Sequence, residues 1–333
     1  MAHKSAKVSR PSRHLVPMVV TGLGAISLAL VLAPGASSAR GVHRAAGAHA
    51  KTLYYISLGD SYSVGYQPSP TPGSTNGFTV PVAKKEKLIL ENFGCGGATT
   101  SSILDYTGDC VTDPPSGEYG PPAATDPGPH TAKNSQVQDA EAFISAHKGS
   151  IGLITVSISG NDVTACAQAA DPITCVEGVT SEIQTNVTKL ASDLATAAGS
   201  GVPIIGLTYP DVILGEWVCD STTGKPPCLA GSPNQTLANE SIEAFQTLIN
   251  PTLLKAYTSV SSGAFVDVTT ATGAYTPLTQ LTKNKTYGEI PVAVNEICEL
   301  TWYCQLANIH ANTKGYDLIA GLIETEYAKL PHP

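Results

Sequence analysis

The sequence predicts an α/β fold: a three-layer α/β/α sandwich around a parallel, doubly wound five-stranded sheet. Three observations carry that expectation. Five short apolar runs of strand length recur along the chain, stretches of helical spacing separate them, and several runs stop abruptly at small polar residues. Strands alternating with helices over one continuous stretch build a parallel sheet, because each right-handed crossover lays its helix back against the sheet.

The first run, residues 53–58, ends at Gly59-Asp60-Ser61, and small or flexible residues continue to Gly65. A strand hands a serine to a tight turn in this way, although Gly-Asp-Ser is also ordinary turn composition. Residues 68–77 are turn-rich, 78–86 predict a short helix, and 87–93 predict a second strand running into Gly94-Cys-Gly-Gly-Ala-Thr-Thr100. Residues 106–133 are dense in Pro, Gly and Asp without any period, which predicts a long surface loop. Val137, Ala140, Phe143 and Ile144 recur at helical spacing over 134–147. A third strand, 151–158, ends in Ser159-Gly160-Asn161-Asp162. The next helix, 177–198, carries Val179, Ile183, Val187 and Leu190 on one stripe and stops at Gly199 to Gly201. Residues 203–208 form a fourth strand ending at Tyr209-Pro-Asp211, and 232–257 a helix that Pro251 kinks or splits. A fifth strand covers 264–268, and a last helix, 313–330, follows a cysteine-bounded loop.

Residues 1–39 are expected to be a signal peptide. Lys4, Lys7, Arg10 and Arg13 make a basic start, an apolar run follows from Leu15 to Ala33, and Ser37-Ser-Ala39 offers small residues for cleavage. Ala48-His-Ala50 is a second candidate cut site, so the choice between the two stays open. Pro17, Gly22 and Gly24 interrupt the apolar run and no basic stop follows it, which argues against a stable membrane anchor. Residues 40–51 read as an Ala/His/Gly linker, and 52–333 as a single domain. Of 19 basic residues the leader takes four, leaving 15 against 27 acidic ones, a formal charge of −12. A secreted (extracellular) chain this acidic is a poor partner for nucleic acid or anionic surfaces.

All eight cysteines lie beyond residue 39, as close neighbours in sequence. An even count in an oxidising compartment points to disulfides, and of 105 connectivities the sequential one is expected: Cys95–Cys110, Cys166–Cys175, Cys219–Cys228 and Cys298–Cys304. A zinc site needs tighter pairs or accompanying histidines, so no metal is expected. Gly94 to Gly97 has neither the spacing of a dinucleotide site nor the Lys of a phosphate loop, and no cofactor is expected.

Ser61, Gly97 and Asn161 follow successive strands, and His310 stands near the C-terminus in Asn308-Ile-His-Ala-Asn-Thr-Lys-Gly-Tyr316. In a parallel sheet the carboxyl ends of strands share one edge, so these positions can converge. Gly59-Asp-Ser-Tyr-Ser63, Asn92-Phe-Gly-Cys-Gly-Gly-Ala-Thr-Thr100, Ser159-Gly-Asn-Asp162 and His310-Ala-Asn-Thr-Lys-Gly-Tyr316 resemble, in order, the four blocks of the SGNH/GDSL hydrolase family. The resemblance implies the SGNH hydrolase fold, a Ser61 nucleophile with His310 as its base, and an oxyanion hole of the Ser61 and Gly97 backbone N–H groups with the Asn161 side-chain amide. Gly97 suits that role because no Cβ hinders the approach of its N–H. Asp60 and Asp162 are expected to hold their turns by Asx-type hydrogen bonds.

Two positions depart from the family pattern. The usual Asp three residues before the histidine is Ala307 here, so a backbone carbonyl within 302–307 is expected to orient His310, with Asn308 and Asp267 as weaker candidates. Ser159 stands where Gly is usual, and a small residue should be tolerated there. The resemblance implies a secreted serine esterase or lipase acting on carboxylic esters, with cysteine-bounded loops like those of secreted actinobacterial lipases in the family. Trp217, Trp302 and Tyr303 are candidates to line an acyl groove or to pack. The expected partner is a small-molecule or lipid ester, and the chain is expected to be a monomer. Polysaccharide acetyl esterase, acyltransferase and non-catalytic glycan- or lipid-binding module are the alternatives on the same fold.

Overall fold

A computed structural model describes residues 51–68, 77–105, 134–219 and 234–333. The expected signal peptide, nearly all of the linker, the loop 106–133, Cys110 and Cys228 lie outside these residues. In chain order the first half contains β1 (Tyr54–Gly59), α1 (Thr79–Glu86), β2 (Ile89–Asn92), α2 (Gln136–Ala146), β3 (Ile151–Ser157), α3 (Gly160–Thr164), α4 (Pro172–Ala198) and β4 (Ile204–Leu207). Then come α5 (Gln235–Ala244), α6 (Asn250–Tyr257), β5 (Gly263–Val266), α7 (Val268–Ala271), β6 (Leu281–Asn284), β7 (Gly288–Pro291), α8 (Val292–Leu300), α9 (Tyr303–Leu306) and α10 (Thr313–Tyr327).

The five strands read from the sequence pair in the order β2-β1-β3-β4-β5, and every pairing is parallel. Strand alternation divides the core between the two faces. Ile56 and Leu58 pack with Ile144, Val187, Leu190 and Leu253 of α2, α4 and α6. Tyr55, Leu153 and Ile205 face the other way, toward Val82 of α1 and Tyr316, Ile319 and Ile323 of α10. All seven residues of β3 are buried, as a central strand covered on both faces requires. Each such aliphatic side chain contributes about 1.5–3 kcal/mol by leaving water.

Helix ends follow local chemistry. Ser135 and Gln138 form a reciprocal capping box at the start of α2. In α4, Asp171 accepts from the Thr174 N–H and Pro172 takes the first helical position. That Asp-Pro start places the helix five residues earlier than its apolar stripe alone indicates. Between α5 and α6 the backbone makes a π-turn, residues Phe245–Ile249. Pro251 follows one residue later, after Asn250; it lacks an N–H and crowds the carbonyl four residues back, and the wider turn relieves both defects.

Between the fifth strand and the last helix the sequence predicts only a cysteine-bounded loop, yet this stretch folds. The Asn284 side chain accepts from the N–H groups of Thr286 and Tyr287, and Gly288 takes φ +81, closing a hairpin between β6 and β7. Ile290, Val294 and Ile297 pack with Leu214 and Ala238 in a third apolar cluster, and Cys298–Cys304 ties α8 to α9. A second disulfide, Cys166–Cys175, joins the segment after α3 to α4.

β1 has β2 on one side and β3 on the other, so the chain spreads in opposite directions from it. The crevice outside the carboxyl ends of β1 and β3 is therefore where this topology leaves room for a ligand.

Candidate active site

β1 ends at Gly59 with φ +135, and a Cβ there would meet Ser157 O at 2.0 Å. Only glycine permits this close approach to β3. The Gly59 N–H donates to Gln136 Oε1 and its carbonyl accepts from Gln136 Nε2, both at 2.9 Å. The Gln136 amide thus fixes the peptide two residues before Ser61. This residue escaped the sequence reading, because its partner lies 77 positions away. Asp60 Oδ1 accepts from the Tyr62 N–H at 2.9 Å, the Asx-type bond expected, and Oδ2 accepts from the Tyr209 hydroxyl at 2.6 Å.

Ser61 is 6% exposed, and its Oγ lies 2.7 Å from His310 Nε2. His310 comes from the loop between α9 and α10, clamped at several points. Trp302 N–H donates to His310 O at 2.9 Å, Thr301 and Ala311 bridge, and the Tyr62 hydroxyl donates to Ile309 O at 2.7 Å. Tyr66 meets the imidazole edge-on at 4.3 Å, and Tyr62 stacks at 5.8 Å.

The group that orients His310 is not a backbone carbonyl of 302–307. Asn308 Oδ1 lies 2.8 Å from His310 Nδ1 and also accepts from the His310 backbone N–H at 3.1 Å. An amide oxygen only accepts, so this contact puts the ring proton on Nδ1 and leaves Nε2 free to accept from Ser61. Asp267 is engaged elsewhere, capping α7 through Thr270 and receiving Asn250. Burial holds His310 down at about 3, far below the ordinary imidazole value, so the neutral base is the populated form. Burial likewise pushes Asp60 up to about 7, against the Tyr209 and Tyr62 hydrogen bonds that favour its charged form.

The second and third turns are tied to each other. Asn161 Nδ2 donates to Ala98 O at 2.8 Å, which leaves its second N–H for another acceptor. Asp162 does not hold its own turn as expected: its carboxylate accepts from the Thr100 N–H at 3.0 Å and the Thr100 hydroxyl at 2.6 Å. Gly97 lies beside these contacts at φ +83. A Cβ there would meet nothing within 4 Å, so its backbone angle, not crowding, calls for glycine. Ser159 also has positive φ, +102, which disfavours any side chain, and its buried Oγ has no hydrogen-bond partner.

An apolar cavity of about 90 Å³ lies beside Ser61 and Asn161, walled by Val163, Ile173, Val176, Leu237, Phe245 and Ile249. Gly97 does not line it. Trp217, Trp302 and Tyr303 do not line it either. Trp217 packs in the third cluster, the buried Tyr303 hydroxyl bonds Glu216, and Trp302 lines a separate cleft. Among the described residues no group of His, Cys, Asp and Glu is arranged to hold a metal ion, and no helix is long and apolar enough to cross a membrane.

No protein-family model matches the sequence, and no curated protein does. Several solved structures resemble the fold. One is a candidate SGNH hydrolase from Slackia heliotrinireducens, 12% identical over 82% of this chain and 98% of its own, with a TM-score of 0.40. Another is a candidate lipolytic protein of the G-D-S-L family from Desulfitobacterium hafniense, 13% identical over 82% of this chain and 99% of its own, TM-score 0.33. A third is a carbohydrate esterase whose active site displays divergent catalytic and non-catalytic binding functions, 14% identical over 83% and 68%, TM-score 0.36. Likeness at this level carries no argument about what this chain binds or cleaves.

Proposed function

We propose that this chain is a secreted serine hydrolase of the SGNH/GDSL type that cleaves carboxylic acyl esters through an acyl-serine intermediate. The observation that carries the proposal is the chain of contacts from Ser61 Oγ to His310 Nε2 at 2.7 Å and from Nδ1 to Asn308 Oδ1 at 2.8 Å, beside an apolar cavity. A serine hydroxyl is a weak nucleophile until a neighbouring base takes its proton, and a neutral imidazole within hydrogen-bond reach is such a base.

In this reading Ser61 Oγ attacks the ester carbonyl as its proton passes to Nε2. The carbonyl oxygen becomes an oxyanion, which accepts hydrogen bonds from the Ser61 and Gly97 N–H groups and from the unengaged N–H of Asn161. One such donor is typically worth roughly 3–4 kcal/mol of barrier. His310 then returns its proton to the leaving alcohol, and the same steps with water release the acid. The Asn308 oxygen holds Nδ1–H throughout, so no carboxylate is required to keep the tautomer. The apolar cavity accepts the acyl chain.

The test is covalent labelling by a fluorophosphonate, comparing the wild type with Ser61→Ala and His310→Ala. Labelling is expected in the wild type alone. Equal labelling of wild type and Ser61→Ala removes Ser61 as nucleophile and with it the proposal.

A further inference from the structure

The segment after Ser61 folds back against the base. The Tyr66 N–H donates to Ser61 O at 3.0 Å, and the Tyr66 carbonyl accepts from the Tyr316 hydroxyl of α10 at 2.9 Å. Gln67, the next residue, is buried; its Oε1 accepts from the Trp302 indole N–H at 3.2 Å, and its Nε2 donates to Thr313 Oγ1 at 3.4 Å. The backbone at residue 66 is thus fixed both to the turn that carries Ser61 and to the helix that follows His310. From that anchored position the Tyr66 ring meets the imidazole, with centroids 4.3 Å apart and 64° between the planes.

Two tyrosine rings therefore contact the base, and they differ in burial. Tyr62 is buried and stacks at 5.8 Å, whereas Tyr66 is partly exposed and has solvent behind it. The other described contacts of the ring are Ser61 at Nε2 and Asn308 at Nδ1, and no charged side chain is among them. Asp60, the carboxylate next to Ser61 in sequence, is turned to the Tyr62 N–H and the Tyr209 hydroxyl. With an amide rather than a carboxylate at Nδ1, the pose of the ring rests on one neutral acceptor and on packing. Water admitted beside the ring would compete with the Ser61 hydroxyl for the Nε2 lone pair.

We propose that Tyr66 is a positioning residue for the base: its ring shuts water off from the imidazole and, together with Asn308, keeps Nε2 turned to Ser61. This rests on His310 acting as the base of the proposed reaction. Burial is what holds His310 down at about 3, so opening the ring to water raises it toward the ordinary imidazole range. A base must be neutral to act, and the rise carries the acid limb of kcat/KM to higher pH.

The experiment compares Tyr66→Ala and Tyr66→Phe with the wild type. The backbone bonds that anchor residue 66 survive in both, and thermal unfolding checks the fold. NMR titration of the His310 imidazole Cε1–H, assigned by its absence in His310→Ala, gives a readout that needs no turnover. The wild type and Tyr66→Phe are expected to stay neutral above about pH 4, and Tyr66→Ala to titrate about one pH unit or more higher. On p-nitrophenyl butyrate the acid limb of Tyr66→Ala should move by the same amount, and kcat at neutral pH should fall about tenfold with KM little changed. A folded Tyr66→Ala protein with an unshifted His310 overturns the inference, as does a Tyr66→Phe protein that shifts as far as Tyr66→Ala. Should Tyr66→Ala not fold, Tyr66→Leu replaces it, with a smaller shift of the same sign expected and no shift overturning the inference. If His310 shifts as expected while the wild type hydrolyses no ester, the esterase reading falls and the shielding of His310 by Tyr66 stands.

Discussion

Asn308 offers the sharpest perturbation of the candidate site. Its Oδ1 is the acceptor for His310 Nδ1 at 2.8 Å and for the His310 backbone N–H at 3.1 Å, so one side-chain atom fixes both ring proton and loop. In the proposed mechanism His310 takes the Ser61 proton and the ring becomes cationic, and a hydrogen bond to a charged group contributes about 1.5–3 kcal/mol. Asn308→Ala removes that bond in the transition state. Tyr62 and Tyr66 still flank the ring, which keeps part of its orientation. The expected loss in kcat/KM is therefore about 10- to 100-fold, at roughly 1.4 kcal/mol per tenfold. Asn308→Asp keeps the acceptor and adds a negative charge, which favours the imidazolium. A base must be neutral to act, so raising its pKa moves the acid limb of kcat/KM to higher pH; in the wild type, with His310 near 3, that limb lies well below the usual imidazole range. The assay is kcat/KM on p-nitrophenyl butyrate as a function of pH for the three proteins, with thermal unfolding as the folding control. A folded Asn308→Ala protein with wild-type kcat/KM would refute the orienting role, as would an Asn308→Asp profile that does not shift.

Two further predictions concern stability. Ser159 has φ +102 and an unpartnered buried hydroxyl, so Ser159→Gly relieves about 1–2 kcal/mol of backbone strain. The greater freedom of glycine in the unfolded chain offsets about 0.4–1 kcal/mol of that gain. Tm should rise by a few degrees in Ser159→Gly and by less in Ser159→Ala, which keeps the Cβ; a Ser159→Gly protein that melts no higher than Ser159→Ala sinks the strain argument. Asp211 is fully buried, with one oxygen on Ser241 and the other without a partner, and burial pushes it up to about 7. Its folded pKa lies above the unfolded value of 3.8, so its contribution is fully present below pH 4 and is lost as pH rises through about 7. Asp211→Asn should therefore lose less stability than the wild type between pH 5 and pH 8, a difference on the order of a few kcal/mol by urea unfolding; parallel pH dependence in the two proteins would show that Asp211 does not titrate in this window.

The sheet was legible because each strand is a short apolar run stopped by small polar residues, and those stops are also where Ser61 and Asn161 stand. His310 was legible from the residues after it. Its orienter was legible only as a weaker candidate: the expected acceptor lay in 302–307, whereas Asn308 reaches forward over two residues to accept from both N–H groups of the histidine, a contact set by loop torsions. Gln136 and Asp162 were opaque for a related reason, since each satisfies a backbone group in a distant segment. The hairpin of β6 and β7 did carry a local signal, Asn284 and Gly288 around three polar residues, but its strands are four residues long and half exposed, too short for alternation to stand out. Of the aromatic residues considered for an acyl groove, Trp217 packs in the third cluster, Trp302 lines a separate cleft and Tyr303 bonds the buried Glu216, while Val, Ile and Leu of α4 and α5 help to wall the apolar cavity.

The π-turn between α5 and α6 holds one residue more than a regular helical turn, and Phe245 and Ile249, its two ends, both face the apolar cavity. Excising a single position there would close the wide turn to a regular α-helical one and withdraw a residue from the stretch that now reaches the cavity. The bore of the apolar cavity is thus encoded in residue count as well as in residue type. Under the proposed function, descendants of this chain have a route to new chain-length preferences by insertion or deletion in one helix, with Ser61, Asn161 and His310 left untouched.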